Sequence, residues 1–306
     1  MFEEIIERAL ESILGWQSEL SIAIVDWIKE NLLAPNVVNN AKTGISIYNG
    51  MLGNTLNLLT TNPMEWNSEG WQLIAEEVYP AFLMIACPLV VIFYLIEFCN
   101  DTSDMRMNGN NRVDRVVPGI FKLSLAEFVT VNALWIICLL FSFVDFLTGG
   151  WIGENSELSS ELGFTAQEVA ALSGLVLLVT YIVSFVYMVA LIVIACVILH
   201  TATIRFFKIL TLIPVGSLAS STIAGSREIS STAMHFWKYM IGVVLEAVLM
   251  IVVLALFSKI QNSLCIVSLE GELRIIGILL NRLLISFLCL GSIKGVSSWI
   301  QRAVGL

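Results

Sequence analysis

The chain has 306 residues, of which 57% are hydrophobic and only 13% are charged. Since soluble domains carry about 25% charged residues, this composition excludes an ordinary soluble protein and predicts a polytopic membrane protein. The formal net charge of −9 argues against a fixed nucleic-acid-binding surface, although not against a channel that nucleic acid passes through.

The first 78 residues predict an amphipathic helical region outside the cytoplasm. Apolar residues recur at helical spacing from Phe2 to Trp27, with acidic residues off that stripe. We expect Pro35 to end this first helix, and a weaker helical segment to follow over 42–60. The acidic face disfavours anionic lipid, so packing against partner helices is preferred to a position on the membrane surface.

Five apolar runs from residue 79 onwards predict transmembrane helices. They cover about 79–98, 126–148, 171–199, 235–257 and 275–293, and a core of about 30 Å takes about 20 such residues. The fold class is therefore predicted to be all-α, with a transmembrane domain over 79–306 after the N-terminal region of 1–78.

A sixth apolar run, 205–222, is too short to span the bilayer comfortably. It begins with the basic residues Arg205 and Lys208, continues to Pro214, and becomes rich in small residues from Gly216 onwards. Proline removes a helix donor and small residues allow close approach of backbones. These features predict a short re-entrant or interfacial helix at the cytoplasmic face; an ordinary connecting loop is the alternative.

Basic residues in the loops predict the orientation. Segments 99–125 and 200–234 and the tail after residue 293 contain lysine or arginine, whereas the loop 149–170 contains neither. Because cytoplasmic loops are enriched in these residues, we expect the N-terminus outside and the C-terminus in the cytoplasm. A full crossing by 205–222 would break this alternation.

Two predicted spans carry charges near their centres. Glu246 lies within GVVLEAVLM, and Arg282 follows Asn281 within LLNRLLI. An ionised side chain at such a depth costs about 2.5–3.5 kcal/mol on insertion scales, so these residues should face protein or water. We predict that Glu246 and Arg282 pair, either to hold two helices together or, with Asn281, to line an aqueous path.

Signatures of enzymes and of metal sites are missing from the sequence. The six cysteines are dispersed and there are two histidines, so neither a disulfide framework nor a zinc site is expected. No phosphate-binding loop, HExxH or GxSxG motif occurs. We therefore expect no catalytic residue, no cofactor and no metal.

The order of features in one region resembles a known family. The segment RFFKILTLIPVGSLAS, followed by SSTAMHFWKYMIGVVLEAVLM, is similar to TrbL-like conjugal transfer proteins, which are polytopic inner-membrane channel components of type IV secretion systems. The resemblance covers about residues 75–295 and is most specific over about 200–255.

This resemblance implies a function and a set of partners. It implies a homo-oligomer in the bacterial cytoplasmic membrane that works with other secretion-system membrane subunits, while separate ATPases supply the energy. It also implies transient contact with the transferred substrate, which is either DNA with its attached protein or an effector protein. The missing nucleotide site fits that division of labour.

Two other functions stay open from the sequence. A small-solute or ion transporter would suit a re-entrant segment near Pro214 and the charges within the spans, because broken backbone in a membrane usually lines a cavity. No inverted repeat supports this alternative. The other possibility is a scaffold or immunity-type membrane protein that contains no conduit.

Overall fold

The computed structural model describes residues 26–108, 113–148, 161–261 and 263–305. Within these ranges the chain is all-α and contains no strand, which confirms the predicted fold class. The predicted N-terminal helix lies outside the described residues up to position 25, as does most of the loop that carries Glu154 and Glu157.

The described residues form helices of very different lengths. In chain order they are α1 (Ala34–Thr60), α2 (Pro63–Trp66), α3 (Ser68–Gln72), α4 (Tyr79–Asn108), α5 (Val113–Val131), α6 (Ala133–Thr148), α7 (Ala166–Ala170), α8 (Gly174–Ser221), α9 (Arg227–Ile260) and α10 (Arg274–Val304). Four helical stretches are long and apolar enough to cross a membrane, or five if α5 and α6 count as one span. Each predicted span falls in one of these stretches.

Two wide π turns precede helices that carry proline at their second position. One covers Lys29–Leu33 and leads into α1, and the other covers Leu73–Val78 and leads into α4. In both, the amide of the residue before proline bonds to the carbonyl five residues back. The pairing of N–H and carbonyl groups thus shifts by one residue just before the proline, which has no N–H to donate. The prediction that Pro35 ends a helix is therefore wrong, because the helical path continues from residue 26 into α1.

The segment 205–222 is not a separate short helix or a loop. It is the C-terminal part of α8, which runs for 48 residues with Pro214 inside it. At about 1.5 Å per residue this helix is about 72 Å long, well beyond a core of about 30 Å. Pro214 removes one backbone hydrogen bond. Because Ile213 and Pro214 are buried, packing keeps the helix continuous at this point. The reversal towards α9 comes later, at Thr222–Ala224 and Gly225.

The sharp break in the transmembrane region lies elsewhere. Residues 126–148 were predicted as one straight span, but α5 and α6 meet at Asn132 with a bend of 66°. The Asn132 side-chain amide donates to the Phe128 carbonyl at 2.8 Å, and its backbone N–H donates to the same carbonyl at 3.0 Å. Asparagine readily bonds to nearby backbone in this way, which competes with a continuous helix.

Two compact units are built from separate stretches of chain. The first comprises residues 1–52, 157–196 and 257–289, and the second comprises 53–156, 197–256 and 290–306. In the first unit, α1 and α8 approach closely: a Cβ added to Gly44 would lie 3.0 Å from the Met188 Cα. The predicted division of the chain into 1–78 and 79–306 stays a prediction.

The second unit has a small core where α4, α5 and the turn after α8 meet. Val90, Ala126 and Ala224 are almost fully buried there. Nearby, Lys122 pairs with Glu97 at 3.4 Å and also donates to the Gly225 carbonyl. Small side chains and this lysine thus fix the point at which the chain turns from α8 to α9.

Candidate functional site

A buried arginine connects α8 to α9 in the second unit. The Arg205 side chain is only 4% exposed. Its Nε–H donates to the Val243 carbonyl at 2.9 Å, and its Nη2 donates to the Val244 carbonyl at 3.3 Å. A guanidinium is a suitable cation for this position, because it is weakly hydrated and presents several donors in one plane.

Glu246 is the acidic residue that interacts with this cation. It lies just beyond the two carbonyls on α9, is 6% exposed, and attracts Arg205 electrostatically. The two side chains do not form a direct ion pair within the described part of the chain, so their charges act through space. In an apolar environment such an interaction is much stronger than in water. The site therefore holds opposite charges at the depth where isolated charges are most costly.

The Glu246 carboxyl faces a small polar cleft, which we call the Glu246 cleft. It is lined by Lys208 of α8, Tyr239, Gly242, Val243 and Glu246 of α9, and Ser297, Ile300 and Gln301 of α10. The space in it that a water-sized sphere can occupy is about 10 Å³, room for about one water. The cleft suits water, a proton or a small ion, and is too small for a polypeptide or nucleic acid.

An apolar cavity lies on another side of Arg205. Leu59, Thr61, Phe141, Val144, Phe206 and Ile209 line it together with Arg205. The Trp66 ring packs on the Phe206 ring with a centroid separation of 4.7 Å. Arg205 therefore borders a mainly apolar cavity, in keeping with its low exposure.

The segment that carries the family resemblance is well packed in the second unit. A Cβ added to Gly216 would lie 3.2 Å from Ile137 and 3.4 Å from Phe236, so a larger side chain would not fit without movement. The Trp237 indole donates to the Ser220 hydroxyl at 3.2 Å. With the Arg205 bonds, these contacts hold the last part of α8 against the first half of α9.

The other predicted site residues, Asn281 and Arg282, belong to the first unit. The Asn281 amide accepts from the Ile266 N–H at 2.8 Å and donates to the Leu264 carbonyl at 2.9 Å, which holds the connection between α9 and α10. The Arg282 guanidinium donates to the Glu161 carbonyl and interacts with Tyr187. The pairing of Glu246 with Arg282 stays a prediction.

The structure brings together Lys208, predicted for the cytoplasmic face, and Glu246, predicted for the interior. Arg205 was expected at the boundary and is buried instead. Its sequence signal was its position one turn before Lys208, within a run that continues apolar on both sides. Tyr239 and Gln301 were not predicted as site residues, and no feature of the sequence marks them.

Comparison with protein-family models, with curated proteins and with solved structures finds no match to this chain.

Proposed function

We propose that this protein is a membrane channel or scaffold component of a type IV secretion machine, of the kind used in conjugative transfer. It assists the passage of DNA with attached protein, or of protein alone. The observation that carries the proposal is the packed pair of α8 and α9. The residues of 200–255 that resemble the family are those that make this contact, through Arg205, Gly216 and Trp237.

The size of the Glu246 cleft supports an assembly of several copies. Space for about one water does not admit a macromolecule, so a conduit has to form between subunits. The protein would act as a homo-oligomer beside other secretion-system membrane subunits, with separate ATPases as the energy source. Its place is the bacterial cytoplasmic membrane, with the N-terminus outside and the C-terminus inside.

Apolar surface on α4 supports both lipid contact and assembly. Only 11% of the most apolar 18-residue segment within Ser68–Asn100 is buried against the rest of the chain. Met84, Ile85, Val91 and Leu95 are all at least half exposed. Apolar patches of this extent are covered by lipid or by another protein.

A transfer assay tests this function in the bacterium that carries the gene. Deleting the gene should abolish delivery of a mobilisable plasmid or effector, and the wild-type gene should restore it. Glu246→Gln should restore it poorly, because Arg205 then keeps its buried charge without its acidic neighbour. Glu270→Gln makes the same chemical change at an exposed position and should restore transfer fully. Normal transfer after deletion would refute the proposal.

A second function, transport of a small solute or ion, is favoured by the bend at Asn132. Broken helices in membrane proteins usually line a cavity. The Glu246 cleft, which α8, α9 and α10 form, separately offers a carboxylate and space for about one water. Purified protein in proteoliposomes should then move protons or small ions, and Glu246→Gln should stop the flux. If the purified protein gives no flux and the deletion strain loses plasmid transfer, the type IV secretion function is favoured over transport.

A further inference from the structure

The bend between α5 and α6 contains a side chain from α4. In a continuous α-helix, the Leu134 N–H would bond to the Thr130 carbonyl. Here the Tyr79 hydroxyl takes the place of that bond. It accepts from the Leu134 N–H at 3.2 Å and lies 3.4 Å from the Thr130 carbonyl and 3.3 Å from the Val131 carbonyl, one of which takes its proton. Insertion of a side chain into the backbone ladder is a recognised cause of helix kinks.

The bent form depends on this hydroxyl because water does not reach it freely. Tyr79 is 5% exposed, and backbone groups opened at an apolar site need a partner. The Thr130 hydroxyl beside this gap is fully buried and has no hydrogen-bond partner among the described residues, so it does not replace the Tyr79 hydroxyl there.

We propose that Tyr79 is a latch that holds α5–α6 in one of two forms. With the hydroxyl inserted, the element is bent at Asn132. With the hydroxyl withdrawn, Leu134 bonds directly to Thr130, and Val113–Thr148 becomes one helix.

The two forms differ in their reach across a bilayer. The halves measure about 28 and 24 Å, so the element bent by 66° reaches about 44 Å from end to end, whereas the straight helix measures about 54 Å. The latch therefore sets the length and direction of this element across a core of about 30 Å. This proposal rests on the geometry of the second unit and holds whichever function is correct.

Distance measurement between two spin labels tests the latch in the full chain, reconstituted in lipid nanodiscs. The labels replace Phe121 on α5 and Phe146 on α6, which are 71% and 80% exposed, in a background whose six native cysteines are changed to alanine. With a 66° bend, these positions lie about 31 Å apart along the two helix axes, against about 37 Å in a straight helix. Tyr79→Phe should therefore lengthen the main distance by about 6 Å.

Tyr94→Phe is the matched control, because it removes a hydroxyl from the same helix while its ring keeps its stacking on Phe98. Its distance should equal that of the background. An unchanged distance in Tyr79→Phe overturns the proposal, as does an equal lengthening in Tyr94→Phe. If Tyr79→Phe does not fold, Tyr79→Leu should give the same lengthening, since it also removes the hydroxyl that bonds to Leu134 and keeps an apolar side chain at this buried position. An unchanged distance there also overturns the latch.

Discussion

At the scale of single residues, Arg205 shows how a long helix can carry a charge through an apolar interior. Its donors bond to carbonyls of α9 that already belong to a helix, and Glu246 supplies the balancing charge. Removing either residue would leave the other as an uncompensated buried charge, which costs several kcal/mol of folding free energy. The two are therefore expected to act as a unit.

Replacing Arg205 should be far more damaging than replacing its neighbour Lys208. Arg205→Met removes both backbone contacts and the buried positive charge that attracts Glu246, for an expected loss of about 3 kcal/mol in the free energy of unfolding. Lys208→Met acts at an exposed position and should change stability by no more than about 0.5 kcal/mol. Unfolding by denaturant in detergent micelles measures both.

The double variant Arg205→Met with Glu246→Gln checks the physical reason. Since both charges are then absent, most of the stability lost in Arg205→Met should return. An additive loss would show that the backbone contacts of Arg205, and not its charge, are what matters.

At the scale of elements, α1 packs on α8 by means of a glycine. Gly44 allows the backbone at Met188 to approach so closely that an added Cβ would lie 3.0 Å from the Met188 Cα. Asn40, one turn earlier, donates to the Ser184 hydroxyl at 3.4 Å. Close contact of this kind is typical of helix pairs in membranes, where small residues increase packing and polar residues bond across the interface.

Gly44→Ala should therefore push α1 and α8 apart. We expect a loss of about 1–3 kcal/mol, the usual cost of forcing extra volume into a packed interface. Gly50→Ala on the same helix meets open space and should be neutral or stabilising by about 0.5–1 kcal/mol, because alanine is the better helix former. The difference in Tm between the two variants measures the effect, and equal Tm values would contradict the close contact.

The elements also show what the sequence can and cannot predict. Long apolar runs identify the spans because burial in lipid requires them, and all of those runs are helical. The breaks are harder to predict. Pro214 lies inside a continuous helix because neighbours bury it, whereas Asn132 bends one because Tyr79, 53 positions earlier in the chain, reaches the opened backbone. Tertiary contacts of this kind leave no local pattern.

The same limit applies to the candidate site. Glu246 could be identified from its depth in an apolar run, since a charge there needs a reason. Arg205 could be singled out as a charge at one end of an apolar run, but its burial against α9 could not be foreseen, because two helices must first be placed side by side. Charge and periodicity describe one helix at a time, and the Glu246 cleft is formed by three.

At the scale of the whole molecule, the α5–α6 pair determines the parity of membrane crossings. Within the described residues, four helical stretches can cross without it, and five with it. An even number places the two ends of this described part on the same side, and an odd number places them on opposite sides. The distribution of basic residues in the loops predicts opposite sides.

We therefore expect α1 to be accessible from outside and the C-terminus to be cytoplasmic. In a cysteine-free background, Asn36→Cys at its exposed position should react with a membrane-impermeant maleimide on intact cells. A C-terminal green fluorescent protein should fluoresce, which it does only when it folds in the cytoplasm. Labelling of Asn36→Cys only after lysis, together with a fluorescent C-terminus, would contradict the odd number of crossings.

The π turns before Pro35 and Pro80 change which residues share a helix face on their two sides. Each π turn holds one residue more than an α turn, and that residue rotates everything after it by about 100° relative to a regular helix. A helical wheel drawn through either turn therefore assigns side chains to the wrong face. The buried face of α1, which includes Ala41, Ile45 and Tyr48, is therefore out of phase with a regular helix drawn back through Lys29–Leu33. A shift in the helical periodicity of apolar residues just before a proline thus indicates a π turn, which lets the helix continue where it would otherwise end.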